Sequence, residues 1–174
     1  MKVFIYLVMA TIVIFLIVGG FMFLFEVQNI IVLGNRVEDS VIAAGWAGFS
    51  EIDLEAMATR RNISDIETRN IYLDKEKARD KVIEYLKKNL KLDNSLYTLP
   101  ESYIVHKDNP VIIDEITVYN PDELPATLST GSQVNQTTIH IRVRIPVETS
   151  FTGLLYAEKS VPVNTDSFLL ESQK

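Results

Sequence analysis

Residues 3–25, VFIYLVMATIVIFLIVGGFMFLF, carry no charge, begin two residues from Met1 and stop at Glu26. As a helix rising ~1.5 Å per residue, the run reaches ~34 Å, enough to cross the ~30 Å hydrocarbon core of a bilayer with slight tilt. No other stretch of the chain approaches that length. The run predicts a transmembrane anchor over residues 1–25, in contact with membrane lipid. Everything after it then lies on one side of that membrane. Lys2 precedes the span, whereas Glu26, Arg36, Glu38 and Asp39 come after it. The positive-inside bias keeps the N-terminus cytoplasmic and sends the C-terminal part outward. A cleaved signal peptide is the rival reading, but its apolar region would be ~7–15 residues long and close on a small-x-small site. Here Val18-Gly19-Gly20 is followed by more membrane-grade sequence, Phe21 to Phe25.

The rest of the chain is one domain by size. The net charge of −6 argues against nucleic acid as a partner, which calls for concentrated basic surface. Cysteine is absent, so an exported domain must be held by its core or by neighbouring subunits, without disulfides, thiol chemistry or thiolate metal sites. His106 and His140 fall in separate segments that both read as strands, and a lone histidine on a strand is more often a packing or surface residue than a ligand.

Behind the anchor, apolar residues recur at Ile30, Leu33, Val37, Val41 and Ala44, in steps of three and four that define one helical stripe. No proline occurs from Glu26 to Phe49. The pattern predicts a stalk helix over 26–49 continuing the anchor, ~70 Å in all. The alternative is a break at Gly34-Asn35. Small residues cluster at its end, and the spacings Ala43/Ala47 and Ala44/Gly48 admit a second backbone at close range. These four residues and Glu26 are the candidate helix–helix assembly site. Glu26 either marks where lipid ends or pairs with a neighbouring subunit's cation, since charges near lipid are costly.

Residues 50–174 read as an extracytoplasmic α+β domain. Ser50 with Glu51 and Asp53 carries N-cap chemistry for a short helix over about 51–60. Residues 60–70 read as a polar loop. Asp74 caps a firmer helix from Lys75 to Leu90, whose Ala78, Val82, Ile83, Leu86 and Leu90 form an apolar face. Beyond Pro100 the period becomes two. Tyr103–His106 and Val111–Tyr119 read as strands, and Asn120–Glu123 and Ser129–Asn135 as loops. In the clearest strand, Ile139, Ile141, Val143, Ile145 and Val147 alternate with polar residues, which predicts one buried and one solvated face. Pro146 suggests that this strand ends at an edge. Phe151–Tyr156 reads as a connector, Lys159–Asn164 as a last strand and Phe168–Lys174 as a fraying tail. Helices followed by about four antiparallel strands give α+β, with helices on one sheet face.

No chemical motif assembles: there is no phosphate loop, nucleophile elbow, H-E-x-x-H or histidine pair at ligand spacing, so neither a catalytic site, a cofactor nor a metal is expected. Asp114-Glu115 are neighbours on a strand and should point to opposite faces, as surface charge. Arg60-Arg61 and Lys87-Lys88 are too short for nucleic-acid patches, and the sequons at Asn62 and Asn135 carry little weight.

The apolar N-terminal helix leading into Phe25-Glu26, the small-residue segment from Asn35-Arg36-Val37 to Ala43-Ala44-Gly45-Trp46-Ala47-Gly48, the alternating strand Ile139–Val147 and Phe151-Thr152-Gly153-Leu154-Leu155 together resemble the TadE/TadG-like pseudopilin subunits of tight-adherence (Tad-type) pilus systems. The resemblance implies a minor structural or assembly subunit of a pilus or secretion machine, partnered by other machine subunits through the stalk. One departure stands out. Pilin-type processing needs the apolar helix after a glutamate, whereas here the run precedes Glu26 and no basic leader exists. A membrane-anchored extracellular binding module is the alternative, and an anchored enzyme is the third reading, for which no constellation exists.

Overall fold

The uncharged run and the amphipathic segment behind it form one helix. In the computed structural model, which describes residues 2–60, 71–104, 108–149 and 153–165, α1 spans Lys2–Gly48 without interruption. Gly34 and Asn35 do not break it, because helical propensity on both sides and tertiary contacts beyond them outweigh the cost of one glycine, ~1 kcal/mol. The predicted stripe faces inward. Ile30 and Leu33 are half-buried, and Val37, Val41 and Ala44 are fully buried.

The chain turns at Phe49-Ser50, and α2 covers Leu54–Arg60. Its cap is Asp53, whose Oδ1 accepts from the Ala56 amide at 2.8 Å, while the Ser50 hydroxyl donates back to the Ala47 carbonyl at 2.7 Å. The expected cap at Ser50 fails because residues 51–53 are held extended: the Asp53 amide donates to Tyr72 and the Asp74 amide to Glu51, both at 2.9 Å. The polar loop and the sequon at Asn62 fall in 61–70, outside the described residues. α3 runs Lys75–Leu90 as expected, with Asp74 accepting from the Lys77 amide and Ala78, Val82, Leu86 and Leu90 buried. It ends on Lys91 in the left-handed region (φ 54°), with the Leu92 amide bonded to the Lys87 carbonyl at 2.8 Å.

Three antiparallel strands, β1 (Ile112–Tyr119), β4 (Thr138–Thr149) and β5 (Gly153–Asn164), form one sheet in the order β1-β4-β5. A two-stranded ribbon, β2 (Ala126–Thr127) with β3 (Gln133–Val134), lies between β1 and β4 in sequence. The architecture is α+β, with α1 and α3 packed on one face of the sheet. Their shared core joins Val37, Val41 and Ala44 of α1 to Val82 and Leu86 of α3 and to Ile139, Ile141 and Val143 of β4. The last turns of the stalk are thus part of the domain's core.

Several segments differ from expectation. Gly153–Tyr156, read as a connector, is the start of β5, paired with Pro146–Thr149. Tyr103-Ile104 is not a strand, and Val105 and His106 lie outside the described residues, as does the tail from 166 onward. The loop read at 129–135 contains β3. The alternating strand is the central one, yet the edge expected at Pro146 exists locally, because the last β1 partner on that side is Arg144, paired with Ile112. The polar side of β4 is also less wet than predicted: Thr138 and His140 have 0% exposure.

Candidate functional site

The small-residue cluster is built from the C-terminal turns of α1, and the fold divides it. Ala44 is buried. A Cβ on Gly48 would lie 2.8 Å from Val82 Cγ2 of α3 and 2.7 Å from Ile139 Cδ1 of β4, and one on Gly45 would lie 2.6 Å from Val163 Cγ2 of β5. The close helix approach that these residues were expected to permit is made within the chain, to α3 and the sheet. Ala43 is exposed and Ala47 half-buried, so the outward part of the cluster remains on the surface. Glu26 is half-buried and lines a cleft between α1 and the end of β4, together with Phe21, Phe25, Tyr103 and Val147–Thr149. Glu26 is therefore separated from the small residues by the length of the stalk.

Polar contacts fix the stalk on the domain. The Tyr103 hydroxyl lies 2.8 Å from Ser40 Oγ and 3.2 Å from the Arg36 carbonyl, and Asn89 Nδ2 donates to the Ser40 carbonyl at 3.3 Å. Burial pushes the Tyr103 phenol up, which keeps it a neutral donor. On the β5 side, Lys159 Nζ reaches Glu38 at 2.8 Å, and a Cβ on Gly34 would lie 3.4 Å from the Lys159 Cε.

α1 has a different character below this clamp. Val3 to Phe25 are exposed almost throughout: Phe15, for example, is 74% exposed and Phe25 68%. Among the described residues this is the one helix long and apolar enough to cross a membrane. None of its most apolar window, mean hydropathy 2.8, is buried against the rest of the chain. A core helix of a water-soluble domain would hide such a surface. Ile31 and Val32, past Glu26, are also exposed.

A second constellation was not foreseen. A β-bulge between Ile113 and Glu115 shifts the register, so Asp114 and Glu115 share the sheet face that carries Arg142 and Arg144. Arg144 grips Asp114 with two bonds of 2.7 Å, and Arg142 lies 3.5 Å from Glu115. Glu115 also accepts from Ser129 at 2.7 Å and Thr117 at 3.0 Å. His140 Nε2 is 2.8 Å from Ser160 Oγ, and its Nδ1 is 3.4 Å from Glu115 Oε1 without a hydrogen-bond partner. The Arg144 fork holds the Asp114 carboxyl below its usual range, and the Ser129 hydroxyl does the same for Glu115 against an opposing effect of burial.

The carboxylate–histidine–hydroxyl row has the order of an activated nucleophile, but His140 Nδ1, 3.4 Å from Glu115, makes no hydrogen bond to it. His140 is also wholly enclosed, and the clefts beside the stalk and beside α3 are lined by other residues. What the row does is tie β1, β4 and β5 together under the β2–β3 turn. Among the described residues, no cluster of three or more histidine or acidic side chains could hold a metal. The sequence holds a partial signal for the ion pairs beside the row, Arg142-x-Arg144 alternating on one strand and Asp114-Glu115 on another, but neither the pairing of those strands nor the bulge is local.

No protein-family model, no curated protein and no solved structure matches this chain.

Proposed function

We propose that this protein is a single-pass membrane subunit of a pilus-like or secretion machine, with its N-terminus cytoplasmic, its domain outside, and a structural rather than enzymatic role. The observation that carries this reading is α1 itself. One unbroken helix has a bare apolar half from Val3 to Phe25 and a half that is core to the domain from Val37 to Gly48. A ligand-binding head needs only a flexible tether to stay near a membrane. A helix shared between membrane and core instead fixes the domain's height and orientation, which is what repeated packing between subunits requires.

The surface offered to neighbours runs along the exposed side of the stalk. Val32, Asn35, Arg36, Asp39 and Ala43 recur along one side of the helix and are all exposed. Ala43 is the small residue of that stripe, where a second helix can approach most closely. Gentle solubilisation of the protein from its native membrane tests the assignment. It should migrate on native gels with several other membrane and exported proteins. Migration as a monomer in every mild detergent would reject the machine and favour a lone anchored module.

A further inference from the structure

The β4–β5 hairpin extends well past the rest of the sheet, and it does so toward the apolar run. β1 pairs with β4 only as far as Arg144, whereas β4 and β5 continue pairing to Thr149↔Gly153. A Cβ on Gly45 would meet Val163, one on Gly34 would lie 3.4 Å from Lys159 Cε, and Lys159 Nζ pairs with Glu38, so β5 descends alongside α1 toward its N-terminus. Nine strand steps from Val163 to Leu154 cover ~30 Å at ~3.3 Å each. The same drop along α1, at ~1.5 Å per residue, takes ~20 residues and ends near Phe25. Side-chain placement agrees: Val147, Glu148 and Thr149 line one cleft with Phe21, Met22, Leu24 and Phe25.

We propose that this end of the hairpin is a second membrane contact, in which Leu154, Leu155 and Tyr156 enter the lipid interface beside the anchor. The proposal rests on the reading of α1 as a membrane span. These three residues are 41%, 48% and 37% exposed, an apolar group that water alone would leave uncovered. Leu154 and Tyr156 project from one face of the strand and Leu155 from the other, so a medium that surrounds the strand satisfies them better than a partner on one side. Tyr156 has the amphipathic ring that favours the headgroup level. Glu148, opposite Leu154, lines the same cleft as Glu26, where the apolar run ends, and this pair of carboxylates limits insertion to the interface. Lipid is the occupant because the strand partners of these residues, Pro146, Val147 and Glu148, share a cleft with the exposed apolar residues Phe21 and Phe25 of the anchor, which sets the patch at the anchor's height. Two attachment points would restrain the tilt of the domain against the membrane more tightly than the span alone.

The chain has no cysteine, so single-site labelling needs no background changes. Leu154→Cys, Phe15→Cys and Arg79→Cys, each carrying an environment-sensitive fluorophore, would be compared in the full-length protein. The vesicles would contain phosphatidylcholine and phosphatidylglycerol, with nitroxide-bearing lipids as quenchers. Position 15 reports the span and position 79 the far end of the domain. The expected result is blue-shifted, lipid-quenched emission at 154, strongest with nitroxide near the headgroup, and none at 79. Emission at 154 matching that at 79, while 15 is quenched, would overturn the second contact and leave the anchor standing. Loss of quenching at both 15 and 154 would overturn the anchor and the proposal with it. A label at 154 that shows transfer to labels on other copies, but no lipid quenching, would also overturn it, in favour of self-association.

Discussion

Gly48 of α1 sits so close to Val82 of α3 that a single methyl on the glycine would fall 2.8 Å from the valine Cγ2. At this point the stalk meets the domain with no room for a side chain of its own. Gly48→Ala should destabilise the fold by ~1–3 kcal/mol, and Gly48→Leu or Gly45→Leu by more, as overpacking in a core that cannot expand. Ala43→Leu, on the outer side of the same turns, should leave the unfolding midpoint of the detergent-solubilised protein unchanged. Equal midpoints for Gly48→Leu and the parent would mean that the helix pair is not packed this way.

Asn120 should be intolerant of change despite its place in a turn. Its side-chain amide mimics a strand neighbour for Leu73, accepting from the Leu73 amide and donating to the Leu73 carbonyl, both at 3.0 Å, in a buried position. Asn120→Leu strands both backbone groups, at a cost of ~1–3 kcal/mol each before relaxation. Asn120→Asp keeps the acceptor but loses the donor and buries a charge. Denaturant titration of the full chain checks both variants, and a midpoint within error of the parent for either would contradict the assignment.

Acid should loosen the sheet through Asp114 and Glu115. Both carboxyls are held below their ordinary values of 3.8 and 4.5, Asp114 first by the Arg144 fork and Glu115 first by the Ser129 hydroxyl. A lowered folded value gives stability that is complete above the ordinary carboxylate range and is lost as pH falls from there through the lowered folded value. The melting midpoint is therefore expected to start dropping at about pH 5 and to go on dropping below the ordinary carboxylate range. Asp114→Asn and Glu115→Gln should be less stable than the parent at neutral pH and show a shallower acid decline. An acid limb unchanged in the double variant would show that other groups carry it.

Much of this molecule was legible because period and capping are local. The stripe from Ile30 to Ala44, the Asp74 cap and the alternation from Ile139 to Val147 each arise from side-chain geometry within one element. What escaped depends on partners far along the chain. Residues 51–53 lost their place in α2 to pairing with residues 72–74. A bulge turned Asp114 onto the face of Glu115, which no count of alternation reveals. For that reason Arg142→Asp, harmless on a bare polar face, should instead be destabilising, since it sets a carboxylate against Glu115 where Arg142 now lies 3.5 Å away. The cluster Ala43–Gly48 was recognised as a close-approach site, but sequence alone does not say whether the approaching backbone belongs to the same chain. Gly48 and Ala44 answer it for the inner side.

The proposed assembly surface on the outer side of the stalk is tested most directly by single-cysteine crosslinking in native membranes. Cysteines would be placed at Val32, Asn35, Asp39 and Ala43 on the exposed stripe and at Val37, Val41 and Ala44 on the buried one. Intermolecular adducts are predicted at the exposed positions, recurring at helical spacing, and none at the buried positions. Adducts at no exposed position would contradict the assembly role, and so would adducts confined to the buried stripe.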